Sequence, residues 1–158
     1  MHHLLVGIRQ YRAEATLHQH GHLQIVLPSL GRLELEVAGR GRHVGEGVGA
    51  FIPTGKRHAF LAQGTNRFVV VDLSAGHIGS DELAASFDKK TFFPIRPSIQ
   101  ALIEYATARL HVGRPSDAIM THWIALFVEG LSGDAALPFV RPPEPAVLAC
   151  SGPARLRG

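Results

Sequence analysis

Apolar and polar residues alternate in short blocks over the first half of the chain and at helical spacing over the second. Leu33, Leu35 and Val37 alternate with Glu34 and Glu36, the period of two that marks a half-buried strand. Further strands are expected over residues 2–8, 11–17, 20–27, 42–45, 49–52, 58–62 and 67–73, separated by Gly, Pro and Asn signals such as Pro28 and Gly39-Arg40-Gly41. Phe68-Val69-Val70-Val71 is apolar at consecutive positions, as in a strand packed on both faces. Many short strands with regular turns predict a sandwich, barrel or jelly roll.

The spacing changes after Ser74. Asp81 to Phe87 predicts a short helix begun by Ser80 as its cap. Pro97-Ser98 opens a second, with Ile99, Leu102, Ile103, Ala106 and Leu110 on one face and Gly113 as its stop. Pro115-Ser116-Asp117 starts a third, which runs to about Leu131. It carries two adjacent apolar rows, Ile119, Trp123 and Phe127 on one and Met120, Ile124, Val128 and Leu131 on the other. Two rows exceed what one core needs. Either the stripe is buried on two sides within the chain, or one side meets a partner; the second is the reading preferred, through Ile119, Met120, Trp123, Ile124 and Phe127. From Phe139 the run Val140-Arg141-Pro142-Pro143-Glu144-Pro145 reads as an extended linker, and residues 146–158 show no periodicity.

Composition narrows the class. Of 158 residues 46% are hydrophobic and 18% charged, which suits one globular domain with a core of its own. The division expected is a folded unit over 1–135 and a Pro-rich tail over 136–158. The net charge of +3 does not make a nucleic-acid surface, because the arginines are scattered and no helix carries a basic stripe. Direct nucleic-acid binding by this chain is not expected. The single cysteine, Cys150, excludes a disulfide framework and has no partnering motif. No run approaches the roughly 20 apolar residues of a membrane span, and Met1-His2-His3-Leu4-Leu5 lacks the form of a signal peptide. The cytoplasm is the expected compartment.

The chemistry is concentrated between His18 and His58. On a strand from His18 to Gln24, the side chains of His18, His20, His22 and Gln24 point the same way, about 6.5 Å apart. Imidazoles converging with an oxygen donor suit a divalent metal such as Zn, Ni, Fe or Mn. The same residues also suit a hydrogen-bonded polar pocket that holds no metal. His22 is the member expected to line the cavity. His43, His77, His111 and His122 have no paired spacing and read as surface or structural.

Two motifs in this stretch resemble those of the cupins. His18-x-His20, Gln24 and Gly31 match the first, with Gln where Glu is usual; Gly47, Pro53, Gly55 and His58 match the second without a gap. Arg12 stands where the first motif has Gly, and Ala62 where the second has Asn. The resemblance implies a mainly β fold, a cupin double-stranded β-helix followed by two or three helices. It implies His18, His20, Gln24 and His58 as metal ligands. The order of barrel, paired helices and Pro-rich linker, with the segments His18 to Gln24, Gly31 to Leu35, Phe51 to His58 and Asn66 to Leu73, is similar to the N-terminal effector-binding and dimerisation domain of AraC-family transcription regulators, over residues 10 to 135. That implies a small-molecule effector and a homodimer formed through the helices. No helix-turn-helix pattern follows the linker, so the DNA-binding part of that family is not expected here. The competing expectation is a metal-dependent cupin enzyme, a dioxygenase, isomerase or lyase, against which stands the lack of a carboxylate at position 24. A remnant whose site is only structural is the third reading.

Overall fold

The computed structural model describes residues 4–13, 15–77, 80–87 and 90–134. Eight strands form two facing antiparallel sheets: β1 (Leu4–Arg9), β2 (Thr16–His18), β3 (Leu23–Leu30), β4 (Leu33–Val37), β5 (Arg40–Val44), β6 (Val48–Ile52), β7 (His58–Ala62) and β8 (Arg67–Leu73). A short ninth, β9 (Phe92–Pro94), extends one edge. The sheets run β1-β8-β3-β6-β9 and β2-β7-β4-β5.

The pairing is nested. β4 pairs with β5, β3 with β6, β2 with β7 and β1 with β8, all antiparallel. One long two-stranded ribbon, folded at the β4–β5 hairpin, has thus been rolled up so that β3 also meets β8 and β4 also meets β7. That is a double-stranded β-helix, the jelly roll that cupins share. The expected mainly β fold with C-terminal helices is the fold observed.

The hairpin turns at Ala38 and Gly39, both with positive φ (49° and 84°), the backbone that matches the twist of the two strands. The turn therefore falls one residue before the expected one, and Arg40-Gly41-Arg42 belongs to β5. Gly31, which closes the β3–β4 turn, has φ 74°, and a Cβ there would lie 2.4 Å from the Thr65 carbonyl oxygen. β3 runs on past Pro28 to Leu30, with a break in register between them.

Two apolar clusters share the central strands. Val26, Leu33, Leu35, Val37, Ile52, Phe60, Phe68 and Val70 fill the barrel. Leu23, Ile25, Leu27, Val69, Val71 and Leu73 face the other way, against the helices. The consecutive apolar run of β8 is explained by this: each face of the strand has its own core.

The helices are α1 (Ser80–Ser86), α2 (Pro97–Val112) and α3 (Asp117–Asp134). Pro97 sits in the first turn of α2, and the Gly113 N–H donates to the Arg109 carbonyl at its end. The Ser116 hydroxyl accepts from the Ile119 N–H at 3.3 Å, which caps α3. Ser80 lies inside α1 with its hydroxyl buried, rather than before it as a cap.

The apolar rows of α3 divide differently from the expectation. Met120, Trp123, Ile124 and Phe127 are all buried within this chain. The Trp123 indole donates to the Leu102 carbonyl oxygen at 2.9 Å. An enclosed side chain has no area left to give to a partner, so of the five expected interface residues only Ile119 lies on the outer surface. The strand expected over 2–8 begins outside the described residues, and the linker and tail over 136–158, with Cys150, lie outside them as well. Among the described residues no helix is long and apolar enough to cross a membrane.

Candidate metal centre

The histidines gather at one end of the barrel, though not by lying on one strand. β2 stops at His18 and β3 starts at Leu23, so His20 and His22 sit on the bend that carries the chain from one sheet to the other. His18 is the register partner of His58 on β7, and Gln24, on β3 in the opposite sheet, is linked to the cluster through Asp72, which lies 3.3 Å from His22. The expectation of one polar strand face is corrected here. A crossing chain, not the pleat, brings the side chains together.

The second motif supplies the other wall. The turn over 53–57 places Gly55 with φ 78°, and its N–H donates to the His20 carbonyl oxygen at 2.8 Å. The Gln19 side chain donates to the Gly55 carbonyl oxygen at 2.9 Å. These two bonds tie the His20 bend to the segment that presents His58.

The rings are close. His18 lies 5.7 Å from both His20 and His58 between ring centres, and His20 lies 5.0 Å from His58 and 4.8 Å from His22. Three imidazoles on one tetrahedral ion, with metal–nitrogen bonds of about 2.0–2.1 Å, hold their centres about 5 Å apart. Their planes are another matter. His18 is nearly parallel to His20 (26°) and to His58 (27°), and stacked rings do not aim their nitrogens at one point. Among the described residues no set of three His, Cys, Asp or Glu side chains already stands in metal-holding geometry. Rotation about the soft outer torsion of each ring is the motion that separates the two arrangements.

Two buried atoms test whether a metal fits. The His58 Nδ1 is 3.1 Å from the Lys56 carbonyl oxygen. A carbonyl only accepts, so Nδ1 carries the hydrogen and Nε2 keeps its lone pair. That Nε2 is buried and has no hydrogen-bond partner. Gln24, 1% exposed, donates through Nε2 to Asp72 Oδ1 at 2.7 Å, which leaves its Oε1 buried and without a partner. A nitrogen and an oxygen lone pair, both dehydrated and both unanswered, are what a bound cation would satisfy. The donor set His18, His20, His58 and Gln24 fits a divalent ion of the imidazole-binding kind.

Burial also favours the neutral form of His20 and His58. His20 is held below the usual imidazole range, first by desolvation and then by the neighbouring histidines His58, His22 and His18, with Asp72 opposing. His58 is lowered in the same way, with its bond to Lys56 opposing. A neutral imidazole is the form that ligates.

Four residues around the site, Arg9, Tyr11, Asn66 and Asp72, lie outside the two cupin motifs. Asp72 lies one residue before the end of β8 on the barrel-facing side, 9% exposed, paired with Arg9, accepting from Gln24 and 3.3 Å from His22 Nε2. His22 is therefore a neighbour of Asp72 as well as of His20. Tyr11 packs against Phe60 and Phe68 at 4.6 and 5.6 Å. Its phenol is pushed up to about 12, chiefly by burial, with the positive charge of Arg9 opposing. Asn66, 3% exposed, clamps the Tyr11 backbone through two bonds of 2.8 Å. Asp72 was detectable in the sequence: it shares the parity of Phe68 and Val70, so it is a carboxylate on an inner face. Arg9 and Tyr11 gave no such signal.

No protein-family model matches the chain, and no curated protein matches it. Solved structures do resemble it. The EutQ protein of Clostridium difficile is 23% identical with a TM-score of 0.42, over 46% of this chain and 58% of that one. An RmlC-like cupin from Shewanella frigidimarina is 17% identical with a TM-score of 0.42, over 48% and 69%. KdgF from Halomonas is 27% identical with a TM-score of 0.41, over 45% and 68%. The chain thus spans less than two thirds of the EutQ structure. The fold assignment itself stands on the nested pairing of the eight strands.

Proposed function

We propose that this chain is a regulatory cupin domain of the AraC type, in which the barrel holds a divalent metal on His18, His20, His58 and Gln24 and takes up a small anionic effector. The observation that carries the reading is the pair of buried, unanswered lone pairs on His58 Nε2 and Gln24 Oε1, beside two further imidazoles. A divalent ion in that set supplies a Lewis-acid centre. None of the four donors is charged, and Asp72, the carboxylate beside them among the described residues, is already matched by Arg9. The charge left over favours an acid as the exogenous ligand. Effector uptake biases the helices only as far as it binds their arrangements differently. The helices α2 and α3, whose inner faces cover the outer side of the β1-β8-β3 sheet, are the elements placed to report it.

On the outer side, α2 and α3 leave an apolar groove of about 560 Å³ lined by Leu102, Tyr105, Ile119, Leu126 and Gly130. In this reading the homodimer forms there, through Ile119, Tyr105 and Leu126 in place of the buried Met120, Trp123, Ile124 and Phe127.

A calorimetric titration of small carboxylic acids into zinc-loaded and chelator-stripped protein tests the reading. Binding that requires the metal and leaves the acid unchanged supports it. Turnover of the acid supports the second reading instead, a metal-dependent cupin enzyme. That reading gains from one observation: Tyr11 and Asp72 provide a neutral phenol and a carboxylate within the barrel, the acid and base that the sequence motifs lack. In that case Tyr11→Phe abolishes turnover while zinc uptake persists.

A further inference from the structure

The bond between Gln24 and Asp72 has a consequence for what the site presents. Both residues belong to the barrel-facing side of neighbouring strands and are register partners of β3 and β8. Gln24 is 1% and Asp72 9% exposed. An ionised carboxylate only accepts hydrogen bonds, so the 2.7 Å contact fixes the amide with its NH2 toward Asp72 and its oxygen away. A free glutamine could present either end. This one presents only an acceptor, and that acceptor, Oε1, is the buried atom left without a partner. Asp72 is itself held by Arg9 and lies 3.3 Å from His22, so both ends of the relay are anchored.

We propose that Asp72 is a positioning residue for the metal site: by accepting from Gln24 it locks the amide so that a neutral oxygen, never an N–H, faces the three imidazoles. The proposal rests on the metal reading given above. Asp72 does not touch the ion; it determines which atom of Gln24 does. The pair is one carboxylate and one amide facing each other across two strands, and its two members are exchangeable in principle. Glutamate at 24 opposite Asp72 places two carboxylates in one buried contact. Glutamate at 24 opposite asparagine restores one donor and one acceptor, with the charge now on the site side.

The experiment is a double-mutant cycle on the whole chain: wild type, Gln24→Glu, Asp72→Asn and the double variant. Two quantities are read, the melting temperature without metal and zinc affinity by competition with a chromophoric chelator. Gln24→Glu is expected to lower the melting temperature by about 5 °C or more, and the double variant to recover at least half of that loss. Asp72→Asn is expected to weaken zinc binding about tenfold or more, the usual effect of losing an outer partner, while the double variant binds zinc at least as tightly as wild type. A purely structural Asp72 does not predict that rescue. Losses that simply add in the double variant overturn the proposal, as does a double variant that fails to fold when Gln24→Glu also fails. If wild type takes up no zinc, the metal reading falls, and the melting temperatures alone still decide whether the two positions are coupled.

Discussion

His58 donates from Nδ1 to the carbonyl oxygen of Lys56, two residues earlier, across 3.1 Å. The bond is made by the segment that delivers His58 to the barrel, so the fold sets the tautomer along with the position. With Nδ1 engaged, Nε2 is the only nitrogen free to ligate. His58→Ala should therefore reduce zinc affinity by more than the roughly tenfold to hundredfold that an outer partner is worth. Competition titration beside wild type measures it, and equal affinities would remove His58 from the donor set.

The lowered pKa values of His20 and His58 make a signed prediction for stability. Unfolded, each titrates near the ordinary imidazole value of about 6.5; folded, each titrates lower. Between the two values the unfolded chain binds more protons, so stability rises with pH. Their contribution is complete above the unfolded value and is lost as pH falls from about 6.5 through the folded values. Metal-free protein should melt at a lower temperature at pH 5 than at pH 7.5. The dependence should flatten in the His20→Ala/His58→Ala variant; a slope unchanged by that variant would place its origin elsewhere.

Trp123 and Leu126 separate folding from assembly. Trp123 is 2% exposed and bonded to Leu102, so Trp123→Ala should destabilise the monomer by about 3–5 kcal/mol. Leu126 is 59% exposed on the open groove, so Leu126→Asp should leave the melting temperature of the monomer nearly unchanged. Light scattering should show a dimer for wild type and a monomer for Leu126→Asp. A wild-type monomer at high concentration would refute dimerisation through this face.

Gly31→Ala should be strongly destabilising, because two costs coincide. The backbone has φ 74°, and the added methyl would meet the Thr65 carbonyl oxygen at 2.4 Å. A loss of about 1–3 kcal/mol follows from the conformation alone, and chemical denaturation should exceed it. A neutral outcome would mean that the β3–β4 turn is free to move.

The strands most plainly readable in the sequence were β4, β7 and β8, whose period-two or two-faced patterns come from direct burial. The motif spacing brought His18, His20 and His58 to one place because the nested ribbon fixes which segments meet. The pleat did not do it, and the single strand drawn through His20 and His22 dissolves into a bend, since alternating polar residues look alike in both. The apolar rows of α3 misled for a related reason. Periodicity shows how wide a stripe is, not how many layers cover it, and here the core takes in residues of both rows, Trp123 and Phe127 of one and Met120 and Ile124 of the other, while Leu126 and Tyr105, outside both rows, form the open face with Ile119. Arg9 reaches Asp72 from 63 residues away, and no local pattern encodes a contact of that span.

In the proposed function three imidazoles and one amide oxygen hold a metal ion together. Elemental analysis of protein purified without added chelator, beside His18→Ala and His58→Ala, tests it most directly. Close to one divalent transition metal per wild-type chain is expected, with a marked loss in both variants. Equal metal content in all three proteins, or none in the wild type after incubation with zinc, would contradict it.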